Sequence, residues 1–273
     1  MTYRQATERL SSAGIENARG EAAMLFEEFC DTSSATLLAD PDRDYRSTAL
    51  LSAIERRMER EPLQYILGKW DFFGLTLEVD PNCLCPRADT EITVETVIRE
   101  LPQNARMLEL CTGSGCIPIA VCASRCDVTS VSTDLFEPTL EIARRNAQRN
   151  GVSDRITFIC SDVFARDLAL EKESFDAIVS NPPYIPSKDV PCLAPEVMHE
   201  PAAALDGGED GLDFYREILG YYPVYLKKGG FIALEIGYDQ GASVTELASS
   251  LGMSCQIIKD LGGNDRCALC RVI

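Results

Sequence analysis

Two adjacent prolines set a hard limit on how this chain can fold. Residues 175–180 read Phe-Asp-Ala-Ile-Val-Ser, a short apolar run with the character of a buried strand. Asn181-Pro182-Pro183-Tyr184 follows at once. Proline has no N–H and a fixed φ, so a central strand cannot continue through the pair. The strand therefore ends at Ser180 or Asn181, and Asn181 stands at its carboxyl edge. In an open α/β sheet that edge is where ligands bind. The Asn181 carboxamide offers one acceptor oxygen and two donor N–H bonds. Tyr184 offers a flat ring for stacking. The prolines leave neighbouring carbonyls without a following amide to compete for them. Together these features make a rigid, acceptor-rich slot for a planar group that carries an NH2; an isolated Pro-Pro would be no more than a stiff turn.

The sheet is legible upstream and downstream. Residues 107–110 read as a strand, Cys111-Thr112-Gly113-Ser114-Gly115 as a glycine-rich turn and residues 116–126 as a helix, with Pro118 tolerable in its first turn. A second strand over 128–133 ends at Asp134, and a helix over 137–150 stops at Gly151. A third strand, 156–160, leads into Ser161-Asp162. After Tyr184 come a proline-rich loop to Pro201 and the acid- and glycine-rich 205–211. A helix over 213–225, a strand over 231–236, a helix over 239–251 and strands near 254–258 and 266–272 complete a doubly wound α/β fold with seven strands.

Glycines at 113 and 115 let a ligand approach the backbone closely. Asp134 lies about 20 residues on, the spacing at which a carboxylate accepts from ribose hydroxyls; alone it would read equally as a helix cap. A dinucleotide would want a third glycine where Pro118 stands, and Glu109, just before the turn, is wrong for a phosphate. An acid suits a cationic, phosphate-free nucleoside such as S-adenosylmethionine. Asp162 is placed to meet an adenine edge, with Val163 packing on the ring; its other reading is a plain loop acid.

Residues 1–68 carry helical spacing at Tyr3, Ala6, Thr7 and Leu10, at Ala22, Leu25, Phe26 and Phe29, and at Leu50, Ala53, Ile54 and Arg57. They read as a small helical bundle without a catalytic cluster, suited to recognising a partner or closing over a site. Leu75, Leu77 and Val79 alternate with polar residues, which predicts a β-hairpin linker over 69–85. The remaining residues, 86–273, form the α/β domain, whose first helix is capped by Asp89 or Thr90.

With 26 basic and 43 acidic residues the net charge is −17, a poor footprint for binding bare DNA or RNA. No apolar run has the length of a membrane span and the first residues open no secretory signal, so a cytoplasmic protein is expected. The twelve cysteines read as small buried hydrophobes. Cys267 and Cys270 alone have C-x-x-C spacing, and with His199 as the only histidine no metal site is expected.

Five segments appear in order: Glu61-Pro62-Leu63-Gln64-Tyr65-Ile66-Leu67-Gly68, Pro86-Arg87-Ala88-Asp89-Thr90-Glu91, Glu109-Leu110-Cys111-Thr112-Gly113-Ser114-Gly115, Asn181-Pro182-Pro183-Tyr184-Ile185-Pro186, and Glu200-Pro201 through Tyr215-Arg216. In these the chain resembles the peptide chain release factor glutamine N5-methyltransferases along essentially its full length. It departs from that pattern at Glu109, Cys111 and Ala88. The resemblance implies a class I, Rossmann-like methyltransferase domain and a monomer. It also implies a substrate, the glutamine of the Gly-Gly-Gln motif in release factors. By the same resemblance, and with the readings above, Glu109, residues 111–115, Asp134, Asp162, Val163 and Asn181 hold S-adenosylmethionine. Asn181, Pro182, Pro183 and Tyr184 hold the glutamine, and Asn181, Pro182 and Tyr184 carry the chemistry without a catalytic histidine or cysteine. Competing readings are an adenine or guanine amino-methyltransferase, disfavoured by the charge, a nicotinamide oxidoreductase, disfavoured by Pro118, and a silent binding protein, disfavoured by the intact residues 181–184.

Overall fold

The computed structural model describes residues 1–166 and 168–273. They fall into two compact units, Met1–Lys69 with Ala194–His199, and Trp70–Leu193 with Glu200–Ile273.

The first unit contains α1 (Tyr3–Ser12), α2 (Ala18–Cys30), α3 (Ser34–Ala39), α4 (Thr48–Met58) and α5 (Leu63–Leu67). Thr2 and Gln5 form a capping box at the start of α1, and the Ser33 and Ser47 side chains cap α3 and α4. The apolar stripes meet as their spacing requires: Ala6, Leu10, Ala22, Leu25, Phe26, Leu50 and Ile54 are buried. Phe26 packs edge-on against Tyr3 and Tyr45, at 5.9 and 5.1 Å between centroids. The helix α3 carries one buried residue, Leu37, too few for a period to show in the sequence. Arg57 points inward, 5% exposed, and is neutralised by Glu21 at 2.5 Å and Glu196 at 3.0 Å. Arg60 also reaches Glu196, at 2.7 Å. Burial pushes the Glu196 carboxyl up, but the two guanidiniums outweigh it and hold the acid down at about 2.

The second unit starts with a hairpin, β1 (Lys69–Phe72) and β2 (Leu75–Glu78), whose turn residues Phe73 and Gly74 both have positive φ. It continues through α6 (Thr90–Glu100), β3 (Arg106–Leu110), α7 (Cys116–Ser124), β4 (Thr129–Asp134), α8 (Glu137–Arg149), β5 (Ile156–Cys160), β6 (Phe175–Ser180), α9 (Asp213–Tyr221), β7 (Leu226–Glu235), α10 (Gly241–Ser250), β8 (Met253–Lys259) and β9 (Asp265–Val272). Among the described residues β3 to β9 form a seven-stranded sheet in the order β5-β4-β3-β6-β7-β9-β8. The first five strands of that order run parallel, and β9 is antiparallel to both its neighbours.

Strand alternation divides the core between two faces. Met107, Ala177, Val179, Phe231 and Ala233 pack with α6 and α7. Leu108, Leu110, Ile178, Ile232 and Leu234 pack with Tyr215 and Ile218 of α9 and Val244 of α10. The chain builds outward from β3 to β4 and β5, then returns to lay β6 and β7 on the other side of β3. The order therefore reverses between β3 and β6, and the crevice beyond their carboxyl ends is the natural ligand site.

Two expectations need correction here. Asp89 does not cap α6 with its side chain; the carboxylate lies 3.1 Å from Arg266 instead. The cysteines are all free, but only Cys83, Cys85, Cys122, Cys267 and Cys270 are buried, while Cys126, Cys160 and Cys192 are exposed. Among the described residues no group of three or more His, Cys, Asp or Glu side chains is placed to hold a metal ion. No helix among them is long and apolar enough to cross a membrane.

Candidate active site

A cavity of about 1130 Å³, counted out to its open mouth, occupies the crevice at the strand reversal. The turn after β3 gives it Cys111, Thr112, Gly113 and Ser114; the end of β4 gives Asp134 and Phe136; the turn after β5 gives Asp162, Val163 and Phe164. Asn181 and Pro183 follow from β6, and the opposite wall is made by residues 82–87 with Pro201, Ala203 and Ala204. Those last two stretches are tied by the Glu200 carboxyl, which pairs with Arg87 and accepts from the Cys85 amide at 3.2 Å. Burial raises the Glu200 pKa against the pull of Arg87.

The glycine turn is held by its neighbours. The Thr112 amide donates to the Thr133 carbonyl at 2.9 Å. The Asp134 carboxylate accepts from the Gly113 amide at 3.0 Å and from the Phe136 amide at 3.2 Å. Burial raises the Asp134 pKa and those backbone bonds oppose the rise. Gly113 has φ +56° and a β-carbon there would meet nothing within 4 Å, so its missing side chain leaves open cavity. Gly115 does something different. It is buried off the cavity wall with φ +80°, and a β-carbon would stand 3.0 Å from Ile119 and 3.1 Å from Ala143. Its absence lets α7 pack closely on α8. Cys111 also has positive φ, 60°, which is strained for a residue with a β-carbon.

Glu109 is not on the wall either. Strand alternation turns it to the α6–α7 face, 1% exposed, where it accepts from the Thr112 hydroxyl beneath the turn. Burial lifts its pKa to about 8, against hydrogen bonds from Thr112 and Ser132. An uncharged Glu109 carries little of the electrostatic preference for a cation read from the sequence; its geometric effect is to support the turn. Asp162 and Val163 do face the cavity. Asp162 accepts from the Phe164 amide at 2.9 Å, and the Tyr222 hydroxyl donates to the Val163 carbonyl at 2.9 Å.

At the proline turn the cavity meets Asn181 and Pro183, with Pro182 buried between them and Tyr184 half-buried behind. Tyr184 packs, half-buried, against the α9–α10 core and does not line the cavity, and burial pushes its hydroxyl up to about 12. The turn is clamped from behind. The Ile185 amide donates to the Leu205 carbonyl at 3.0 Å and the Gly207 amide to the Ile185 carbonyl at 2.8 Å. Gln240 donates to the Tyr184 carbonyl at 2.9 Å and the Gly211 carbonyl at 3.2 Å. Its amide oxygen accepts from the Gly237 amide at 2.9 Å and from the Tyr215 hydroxyl at 3.2 Å. Gly207 and Gly211 exist to let this packing happen, since a β-carbon on either would lie under 3 Å from the Pro183–Tyr184 backbone. The glycine- and acid-rich segment is thus an ordered brace for the turn.

Sequence reasoning missed Gln240, Phe136, Phe214 and the 82–86 wall. It also missed Glu235, a fully buried acid next to the turn. The available signal for Glu235 was an acid inside the apolar run 231–236. His199, exposed in the segment grouped with the first unit, is not a wall residue.

Comparison with known proteins adds the family. Residues 2–68 match the PrmC N-terminal domain and residues 87–212 the methyltransferase small domain. The release factor glutamine methyltransferase of Moorella thermoacetica is 39% identical over 98% of this chain and 98% of its own. That of Geobacter sulfurreducens is 40% identical over 94% of this chain and 90% of its own. The chain belongs to the release factor glutamine methyltransferase family. Among solved structures, a methyltransferase from Pyrococcus furiosus superposes with a TM-score of 0.54 at 24% identity, covering 73% of this chain and 89% of that one. Ribosomal protein L11 methylase from Lactobacillus delbrueckii does so with 0.51 at 18% identity, covering 71% and 83%. These two likenesses establish the α/β methyltransferase fold.

Members of this family are S-adenosylmethionine-dependent enzymes, and the cavity fits that cofactor. Gly113 leaves space where a side chain would stand, Asp134 presents a carboxylate to that space, and Val163, Phe136 and Phe214 supply apolar surface for a purine. The walls contribute neither lysine nor a second arginine beyond Arg87, which suits a nucleoside without phosphates.

Proposed function

We infer that this chain methylates the side-chain amide nitrogen of a glutamine in peptide chain release factors, the residue of their Gly-Gly-Gln motif. The observation that carries the reading is near full-length identity of about 40% to release factor glutamine methyltransferases, joined to an Asn181 carboxamide set on the wall of the cofactor cavity.

The residues divide the work. Asp134 takes the ribose hydroxyls, Asp162 and Val163 the adenine, and the backbone of 111–114 the remainder of the cofactor. Gly115 and Glu109 act on that turn from behind. When bound, S-adenosylmethionine supplies an electrophilic methyl group on a sulfonium centre. An amide nitrogen is a poor nucleophile because its lone pair is delocalised into the carbonyl. The Asn181 nitrogen is engaged by the Thr90 hydroxyl at 3.3 Å, which leaves Oδ1 as the acceptor for the glutamine NH2. The second acceptor is assigned to the backbone carbonyl of Pro182, which lies between the two wall residues Asn181 and Pro183. Two acceptors on one NH2 turn the nitrogen lone pair toward the cofactor side of the cavity and stabilise the positive charge that develops there. Formation of the N–CH3 bond would be matched by cleavage of the methyl–sulfur bond, leaving a neutral thioether, and the glutamine nitrogen would give up one N–H proton to solvent; no histidine or cysteine is assigned as base.

The N-terminal helical unit is assigned the recognition of the release factor body, and the enzyme is assigned to the cytoplasm as a monomer without a nucleic-acid partner. The test is tandem mass spectrometry of a release factor treated with enzyme and S-adenosylmethionine. A methyl on the Gly-Gly-Gln glutamine is expected; a methyl on another residue, or none, would refute the substrate assignment.

A further inference from the structure

The parallel register of β6 and β7 sets Ser180 against Leu234. The next residues, Asn181 and Glu235, therefore lie side by side, and alternation puts both on the face of Val179 and Ala233, toward α6. Thr90, the first residue of α6, closes the group: its hydroxyl accepts from Asn181 Nδ2 at 3.3 Å. The Thr90 hydroxyl and the Asn181 carboxamide are the hydrogen-bonding side chains facing the Glu235 carboxyl. Thr90 and Glu235 are each 1% exposed, and Glu235 Oε2 has no hydrogen-bond partner among the described residues. Asn181 and Thr90 reach the cavity wall and Glu235 lies behind them.

Burying an acid in the sheet is costly, and the buried Arg266 on β9 offsets only part of that cost, since the Glu235 pKa still rises. The carboxamide beside it supplies a reason. An asparagine side chain has two ends of nearly equal shape and opposite hydrogen-bonding sense. Turned one way it accepts from an incoming NH2; turned the other way it presents a second NH2 and repels it. Acceptors on the far side fix the choice, because they draw Nδ2 inward and leave Oδ1 outward.

We propose that Glu235, acting with Thr90, is a positioning residue that locks the Asn181 carboxamide with its oxygen toward the cavity. The assignment rests on the methyl-transfer reading above and adds to it what orients the acceptor. Glu235 is surrounded by Thr90 and Asp89 on α6, Asn181 and Tyr184 after β6, Arg266 and Cys267 on β9, Cys116 on α7 and Tyr215 on α9. Burial lifts its pKa to about 7, against the Thr90 hydroxyl and Arg266. Below that pH the protonated carboxyl offers a donor, for which Oδ1 is the matching acceptor, and the lock is released.

The experiment has two readouts. In the first, the side-chain amide resonance of Asn181, assigned by its loss in Asn181→Ala, is followed by NMR against pH in the absence of substrate. Wild type is expected to titrate with a midpoint near 7 and Glu235→Gln to be flat. In the second, kcat for release factor methylation is expected to rise through the same pH in wild type. It should lose that limb in Glu235→Gln and fall on the order of 10- to 100-fold, with affinity for S-adenosylhomocysteine unchanged. An Asn181 resonance that ignores pH, or a Glu235→Gln enzyme with wild-type kcat and an unchanged limb, overturns the proposal. If Glu235→Gln does not fold, Thr90→Val decides in its place: a comparable loss of kcat supports the lock and wild-type kcat refutes it. A titrating Asn181 in a protein that leaves release factor unmethylated would refute the substrate reading and keep the lock.

Discussion

Gly207 carries the sharpest test of how the proline turn is held. A β-carbon at this position would stand 2.7 Å from Tyr184 Cα, 2.8 Å from the Pro183 carbonyl oxygen and 2.9 Å from the Tyr184 carbonyl carbon. All three are backbone atoms of the turn, so no side-chain rotation relieves the clash. Restoring ordinary van der Waals contact takes a displacement on the order of 0.7 Å. The segment bearing Gly207 is bonded to Ile185 on both strands of a short bridge, so part of that displacement passes to residues 183–185. A misplacement of about 1 Å costs on the order of 100-fold in rate, so Gly207→Ala should lower kcat by roughly 10- to 100-fold. Overpacking should also cost about 1–3 kcal/mol of stability. Asp134 ends β4 and Gly113 lies in the turn after β3, so affinity for S-adenosylhomocysteine should stay at the wild-type value. Gly220→Ala is the control: it sits in α9, a β-carbon there meets nothing within 4 Å, and it should stabilise by about 0.5–1 kcal/mol at unchanged kcat. The measurements are initial rates of methyl transfer, calorimetric titration with S-adenosylhomocysteine, and urea melts. A Gly207→Ala enzyme with wild-type kcat would show that the turn is not held by this packing.

Asp134→Asn replaces a charged acceptor and should weaken binding of S-adenosylhomocysteine about 10- to 100-fold, read by calorimetry, with the fold intact by circular dichroism. Glu109 has a folded pKa near 8, above its usual value of 4.5. The folded state therefore keeps a proton that the unfolded state gives up, and stability falls as pH rises from about 4.5 to 8. Glu109→Gln should remove that contribution, so its Tm should drop less than that of wild type between pH 6 and pH 9; equal drops would contradict the burial argument. In the helical unit, Phe26→Ala should cost about 3–5 kcal/mol in a urea melt, since Phe26 is fully buried between Tyr3 and Tyr45.

The parts of this enzyme written in local sequence were readable before any coordinates. Pro182-Pro183 stops β6 wherever it packs, and the strand–turn–helix after Leu110 needs nothing beyond its own glycines and apolar spacing. Tertiary partners decide the rest. Glu109 looked like a ligand acid because it precedes the glycine turn, yet alternation along β3 turns it under that turn. Asp89 looked like a cap, but Arg266, 177 positions away in the chain, claims its carboxylate. Tyr184 looked like a stacking platform, and its half-buried ring packs against the core beneath α9 and α10, off the cavity wall. Gln240 and Glu235 touch the proline turn only because β7 is laid beside β6, a pairing that leaves no mark within either segment.

The measurement that tests the central claim most directly is transfer of labelled methyl from S-adenosylmethionine by wild-type enzyme and by Asn181→Ala. Each is offered a release factor, the same factor with its Gly-Gly-Gln glutamine changed to alanine, and RNA and DNA. Label on the unaltered factor alone, and only from the wild-type enzyme, is the predicted result. Label on nucleic acid, or on the factor lacking that glutamine, would contradict the account.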